Sequence, residues 1–457
     1  MAKVFREPVV PEDQLLLLPP NVSDFVGEDA PVRILSELVA QMDCSSLKSM
    51  HKGGGAPAYD PIMLFKVLVY GLNEGIRSSR RLARCLTRDM HFMYLARMSC
   101  PDFRTIARFR RLQEEAIAKL FVQTVVLAKE MGLVLLEHGS VDGTKLSSQG
   151  SMRQYRRGDE LEASLTKLDE RIAQLLREMD ETDEAEDREY GDGPGDGIPD
   201  ELRNAEERKK RLQRAIAELG IQGTKAVVMT DPQSRLMKTG EGLRPSYNAQ
   251  AVVDSCAQIV VAADVTQDEH DARQFRPMLE QVRKTVDALP EQVTADAGYW
   301  SKDSLDYVDE RKLDAYIAPA GTKEDQLAGW TYDKERDVLL SPDNEEYVYS
   351  TKRKNRGRTY RGYRHPTTRR LKWINNDADQ IARMREKVAT PEGRAIYKKR
   401  QTIVEPVFGH IKGPYGMRKL LLRGLNGAKI EYLLACTAHN LGKMINVRRQ
   451  NMAYTPA

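Results

Sequence analysis

The sequence predicts a mixed α/β fold: a mixed sheet flanked by helices, with an all-helical N-terminal region and an inserted helical hairpin. Three observations lead there. Up to residue 130 the apolar positions recur at helical spacing, and basic residues occupy the faces left over. Beyond that point, short runs rich in Val, Ile and Ala alternate with helix-like stretches, the pattern of an α/β sheet. Between the first such run and the rest lie two heptad-patterned segments.

Taken in order, "HKGGGAP" (51 to 57) is a break, and "YDPIMLFKVLVYGLNEG" after it reads as a helix. Asp60 suits its N-cap, Pro61 its first turn, and Ile62, Phe65, Val69 and Leu72 its buried face. A long helix is expected from Asp102 onward, carrying Arg104, Arg108 and Arg111 along one face. "LVLLEHGSVDGTKLSS" brings the first strand, and "KAVVMTD", "YNAQAVVDS", "QIVVAADVT", "EQVTAD" and "LDAYIAPA" supply more. Leu161, Leu165, Leu168, Ile172, Leu175 and Met179 alternate four and three apart, and Leu202, Ala205, Leu212, Ile216 and Leu219 resume the pattern. The simplest reading is an antiparallel hairpin closed by the acidic linker 180 to 200; a coiled-coil contact between chains is the alternative. From "EGRAIYKKRQ" the chain is helical to its end.

The formal net charge of the 457 residues is only +4, which is no nucleic-acid signature, but its distribution is uneven. Residues 351 to 372 hold ten Lys or Arg and no acid, whereas 180 to 200 hold ten acids and one Arg. The basic run, with Tyr360, Tyr363 and His365 interleaved, is either a solvated strip or a tracker of phosphates through Arg356, Arg358 and Arg361. Five scattered cysteines without a C-x-x-C pair argue against a disulfide framework and against zinc, and fit a reducing cytoplasm. The N-terminal "LLLLPP" is too short and wrongly flanked for a signal peptide, and no apolar run reaches membrane-spanning length.

Three carboxylates are the candidate chemistry. Asp142 in "GSVDGTKL" sits on a strand-like run and Asp296 in "TADAGYWS" ends one, each among small residues, which leave room for a ligand. Taken alone, Asp142-Gly143 reads better as a turn dipeptide. Glu405 sits in "YKKRQTIVEPVFGHIK", where Val404, Val407, Phe408 and Ile411 place it toward the core side. A cluster of carboxylates implies a cation, and Mg²⁺ takes oxygen ligands. A second acidic group, Asp264, Asp268, Glu269, His270 and Asp271, could pass for a metal site but reads more simply as cap and first-turn acids of the helix that follows.

"SVDGTKL", "TADAGYWS" and "YKKRQTIVEPVFGHIK", in that order, resemble the three acidic motifs of the DDE transposases of bacterial insertion sequences. These are RNase H-like enzymes of the retroviral-integrase superfamily, here in the group with a Tyr-Arg-Glu-Lys signature. "YDPIMLFKVLVYGLNEGIRSSRRLARCL" and "PDFRTIARFRRL" are similar to their helical N-terminal region, and "RLMKTGEGLRPSYNAQAVVD" to their central strands. The resemblance implies an RNase H-like sheet in which Asp142, Asp296 and Glu405 bind catalytic Mg²⁺, for which Mn²⁺ substitutes. It implies that Tyr397, Arg400 and Lys412 contact DNA near the reacting phosphate. The face Arg104, Arg108 and Arg111 reads either as a helix-turn-helix surface for DNA or as a salt-bridged surface helix. The resemblance also implies cleavage at element ends, strand transfer into double-stranded target DNA, a homo-oligomer assembled on that DNA, and a bacterial cytoplasmic, nucleoid-associated setting. A non-catalytic DNA-binding descendant and an RNase H-like nuclease without strand transfer are the alternatives. The domains expected are 1–130 (helical, DNA-binding), 131–157 (first core strand), 158–222 (hairpin with its acidic linker), 223–320 (central core), 321–385 (basic insertion) and 386–457 (C-terminal helices with the third acid).

One spacing departs from the signature, which has three residues between Arg and Glu; this chain has four between Arg400 and Glu405. At about 100° per residue that turns Arg400 some 140° from Glu405 on a continuous helix. Pro406, which suits the first turn of a new helix, predicts that the helix is not continuous.

Overall fold

Local capping explains the start of the chain well. The computed structural model describes residues 21–48, 58–190, 200–319, 329–333, 335–355, 358–375 and 378–454. The described N-terminal part holds α1 (Pro31–Ala40), α2 (Ser45–Lys48), α3 (Pro61–Asn73), α4 (Ser79–Cys85), α5 (Met90–Ala96), α6 (Phe103–Leu112) and α7 (Glu114–Glu130). The glycine break 51–57 lies outside the described residues. Asp60 accepts from the Ile62 amide at 3.0 Å, Pro61 opens α3, and Phe65, Val69 and Leu72 are buried. Asp102 caps α6 through the Thr105 amide at 2.7 Å. The single long helix expected after it is two, because Gln113 leaves helical geometry at φ −109 and ψ 33. The bend lets α6 pack on α4 while α7 turns to the sheet side.

β1 (His138–Ser147) opens the α/β part, and β2 (Tyr155–Arg157) leads at once into α8 (Gly158–Tyr190). α9 (Asp200–Gln222) returns to β3 (Ala226–Val228). Leu161, Leu165 and Leu168 meet Leu212, Ala215, Ile216 and Leu219, while Lys209–Asp169 and Arg171–Glu201 pair farther out at 2.7 and 2.9 Å. The two helices are therefore antiparallel. Two expectations need correction here. The acidic stretch is helical as far as Tyr190, since its Glu and Ala residues favour helix; 191–199 lie outside the described residues. The strand expected in "KAVVMTD" does not join the main sheet but pairs with β2 as a ribbon at the hairpin's base.

β4 (Arg235–Thr239), β5 (Gly242–Asp254) and β6 (Val260–Thr266) run antiparallel in sequence. One edge of β5 pairs with β4 and then β6, and the other takes β1 from Ser147↔Ser246 to Gly139↔Asp254. α10 (Phe275–Val286) leads to β7 (Gln292–Ala295), and α11 (Lys302–Arg311) to β8 (Asp314–Ile317). β7 lies parallel to β1 and β8 parallel to β7. The order β6-β5-β1-β7-β8, antiparallel on one side of β1 and parallel on the other, is the RNase H-like sheet expected.

A second sheet follows, built from β9 (Thr331–Asp333), β10 (Val338–Leu340), β11 (Glu346–Asn355), β12 (Arg358–Arg364) and β13 (Leu371–Asn375). Leu339, Tyr347, Tyr363 and Ile374 form its own small core. The basic run is thus largely strand, not a loose strip. Arg361 pairs with the Asp337 carboxylate and lies 4.7 Å from the Tyr349 ring centre, so its charge is met within the protein. Arg356 lies outside the described residues, and of Arg358 only the backbone is described.

Helix resumes earlier than expected, with α12 (Ala378–Ala389), and continues through α13 (Pro391–Ile403), α14 (Glu405–Lys412) and α15 (Gly424–Tyr454). α15 is sandwiched between β6 and the helices α1, α3 and α7. Tyr432, Ala435, Cys436 and Leu441 on it are fully buried. Asn440 exchanges two hydrogen bonds of 2.9 Å with the Val260 main chain. One continuous apolar core results.

Candidate active site

β1 and β7 are neighbours, and the register sets Val141 opposite Ala295. The next residue of each is an aspartate, so Asp142 and Asp296 emerge side by side where β7 ends and β1 runs on. Asp296 Oδ1 accepts from the Gly298 amide at 2.9 Å, which fixes the turn after β7. Asp142 Oδ1 accepts from the Gly143 amide at 2.8 Å, and its Oδ2 takes Arg400 Nη1 at 2.7 Å. The small neighbours are necessary. A β-carbon at Gly298 would stand 3.0 Å from Asp296 Oδ1, and one at Gly143 would stand 2.8 Å from Asp271 Oδ1.

The third acid arrives on a broken helix. α13 ends at Ile403 and α14 begins at Glu405 with Pro406 in its first turn. A proline frees the carbonyl four residues before it. Here that carbonyl, on Thr402, accepts from Gln258 Nε2 at 2.8 Å. The break brings Arg400 and Glu405 to one side despite the extra residue, with Arg400 Nη2 at 3.9 Å from Glu405 Oε1. Arg400 therefore lies between Asp142 and Glu405. Glu405 is not on the core side: its side chain is 54% exposed, while Val404, Val407, Phe408 and Ile411 beside it are buried. Tyr397, half-buried, has its ring centre 5.9 Å from the Arg400 guanidinium. Lys412 is half-buried at the end of α14, where burial and then Arg418 hold its pKa below the usual lysine value.

One residue of this site was misread in the sequence. Neither Asp268 nor Asp271 caps α10; Asp268 Oδ2 accepts from Gln274, and a 3-10 turn over Asp271–Arg273 intervenes. Asp271 Oδ1 instead accepts from Asn248 at 2.6 Å, Gln250 at 2.7 Å and Lys145 at 3.3 Å. Gln250 in turn accepts from the Tyr299 hydroxyl. Asp271 Oδ2 lies 3.1 Å from where a Gly298 β-carbon would be, facing Asp296 across one atom's width. Only the polar, wholly buried Asn248 and Gln250 within a core strand could have signalled it, since such groups need partners. Arg104, Arg108 and Arg111 stand exposed on α6, away from these acids.

The family model described as a transposase DDE domain matches residues 215–441. A second, a transposase domain (DUF772), matches residues 20–112. The chain belongs to the DDE transposases. Asp296 and Glu405 fall within the first match, whereas Asp142 and β1 precede it. A search of curated proteins finds no match. No helix among the described residues of the transposase is long and apolar enough to cross a membrane.

DDE transposases use a divalent cation, and the donors here suit a hard one, being oxygens only. Among the described residues no three His, Cys, Asp or Glu side chains stand close enough to hold one ion together. The adjacent pair Asp142 and Asp296 fits as two ligands, and Arg400 spaces Glu405 from them. Three carboxylates without a cation would repel one another, and the guanidinium supplies counter-charge.

Burial pushes Asp142 up to about 6; Arg400 opposes the shift, and Asp296 and then Asp271 add to it. A carboxyl raised in the fold binds its proton more tightly there than in the unfolded chain. It therefore contributes stability below pH ~4 that is lost as pH rises through ~6, up to about 3 kcal/mol. The unfolding free energy of the metal-free transposase minus that of Asp142→Asn should fall over this window, and Mg²⁺ should restore part of it above pH ~6. A flat difference would contradict the placement.

Proposed function

We propose that this transposase cuts DNA at the ends of an insertion sequence and joins the freed 3′-hydroxyl to target DNA, acting in the cytoplasm on chromosomal DNA. The observation that carries the reading is the pair of aspartates on adjacent parallel strands, Asp142 within β1 beside Asp296 just past β7, with Arg400 and Glu405 brought to them by the break at Pro406. Asp142, Asp296 and Glu405 would hold Mg²⁺. Bound there, the cation would neutralise charge on the scissile phosphate and favour the deprotonated attacking oxygen. Each step forms one P–O bond and breaks one. In the first, a water oxygen attacks phosphorus and the 3′-oxygen leaves, taking up a proton; in the second, that hydroxyl attacks a target phosphodiester.

The chain's own groups position these steps. Arg400, freed from Asp142 once a cation takes the carboxylate, can turn its planar donors to a phosphate oxygen. Lys412 adds a second charge, and Tyr397 supports the guanidinium from the side. These roles agree with the Tyr-Arg-Glu-Lys signature as shifted here. Arg104, Arg108 and Arg111 offer a basic helix face to double-stranded DNA, and two chains would act together on paired ends.

A labelled duplex carrying the element's end, incubated with the chain in Mg²⁺ or in EDTA, tests the reading. Cleavage at the boundary, and joined products when target DNA is added, are expected only with Mg²⁺. Cleavage without joining would favour the nuclease reading, and binding without cleavage the non-catalytic one.

A further inference from the structure

Past the end of β7, β1 continues paired with β5 as far as Ser147, and a cavity of about 450 Å³ opens there. Ser147 to Ser151 form its floor. Its walls are Arg153 before β2, Arg244 at the start of β5, and Arg418 and Lys419 after α14. The walls are tied to the floor through main chain. Ser147 N donates to Arg418 O at 3.1 Å, Leu420 N to Ser147 O at 2.8 Å, and Ser148 N to Pro245 O at 2.8 Å. A β-carbon at Gly150 would lie 2.8 Å from both Pro245 Cβ and Ser148 Oγ, so the turn is closely packed. This is a built cavity.

Its charge is one-sided. Arg153, Arg244, Arg418 and Lys419 are all exposed and face one acid, Glu241. Among the described residues none of the four belongs to an ion pair, whereas Arg276, Arg311 and Arg383 each hold a carboxylate. Like charges gathered without acids form a potential well for an anion. No aromatic ring lines the cavity, so a nucleobase would find no stacking face. Guanidinium, ammonium and serine hydroxyl groups are phosphate donors.

The cavity is connected to the acids. Asp142 and Ser147 are five residues apart on β1, about 17 Å at the rise of a strand. The charges of Arg418 and Asp142 both act on Lys412 at the end of α14. At 3.4 Å per phosphate along one strand of DNA, that distance is about five nucleotides.

We propose that this cavity holds backbone phosphates of the DNA strand running away from the scissile bond, about five nucleotides from it. The inference rests on the DNA-cutting reading above. The test is binding of a mixed-sequence duplex of about 30 base pairs by the full chain in EDTA, at several salt concentrations. The variants are Arg418→Ala with Lys419→Ala, Arg153→Ala with Arg244→Ala, and Glu241→Gln. Each released phosphate contact should lower the slope of log affinity against log salt by about 0.9. Each double variant should therefore lose up to about two units of slope and bind at least tenfold more weakly, with its melting temperature kept. Glu241→Gln should bind more tightly. Unchanged slopes in both double variants, beside a wild type that binds, overturn the cavity's role and leave the cutting reading standing. A wild type that binds no DNA overturns that reading, and this inference with it.

Discussion

Asp296→Asn should reduce end cleavage about a thousandfold or more while leaving folding and DNA binding in place. The substitution keeps the size of the side chain and its ability to accept from the Gly298 amide, so the turn after β7 survives. It removes the charge. A neutral amide oxygen is a poorer ligand for Mg²⁺ than a carboxylate. Losing a cation that stabilises the attacking or leaving oxygen costs several kcal/mol of barrier, and each 1.4 kcal/mol is about tenfold in rate. Asp142→Asn and Glu405→Gln should behave alike. Asp268→Asn should cleave nearly as wild type, because Asp268 accepts from Gln274 away from the acids. Full activity of Asp296→Asn in the labelled-duplex assay would sink the assignment.

Arg77→Ala should cost about 3–5 kcal/mol of stability, the usual loss when one partner of a buried ion pair is removed. Arg77 joins Glu431 at 2.7 Å, their side chains being 12% and 3% exposed. Glu431 also accepts from the Leu421 amide at 2.8 Å, and Arg77 Nη1 donates to Gly416 O at 2.6 Å. Without the guanidinium, Glu431 keeps only main-chain donors for a buried charge. The pair fastens the N-terminal helices to α15, so the loss should appear in the unfolding of the whole chain. Replacing both partners together, Arg77→Met with Glu431→Leu, should recover only part of it, since the buried Arg110 guanidinium then loses the Glu431 carboxylate that offsets its charge. Denaturant unfolding measures both; a cost below about 1 kcal/mol for Arg77→Ala would mean that the pair does not hold these parts together.

The features legible in the sequence were those set by neighbours along the chain. Asp60 and Asp102 announce their helices because a cap acts within three residues. Asp142 and Asp296 stand out because small residues flank each carboxylate, one within a strand and the other just past a strand's end. The Arg400 position was recoverable because Pro406 marks the break that restores its orientation. What stayed hidden depends on register and distant pairing. Asp271 meets Lys145, Asn248 and Gln250, which come from two other strands. Composition also misled: ten cations within 22 residues suggested a free basic strip, yet Arg361 is met by Asp337 in the turn before β10. The cations that do lack partners around the Ser147 cavity come from separate segments, and no local pattern joins them.

α15 has a consequence for how the protein is made. Its buried face supplies packing for α1, α3 and α7 on one side and for β6 on the other, and the ribosome delivers it hundreds of residues after those helices. Domains that fold during synthesis do so when their own core is complete. Here the N-terminal helices emerge hundreds of residues before the helix they pack on, so their apolar faces must wait, exposed or held by a chaperone, until α15 emerges. A premature stop before Gly424 would remove the shared core of both regions at once, and a message cut short should yield aggregate or degraded chain in place of a working DNA-binding fragment.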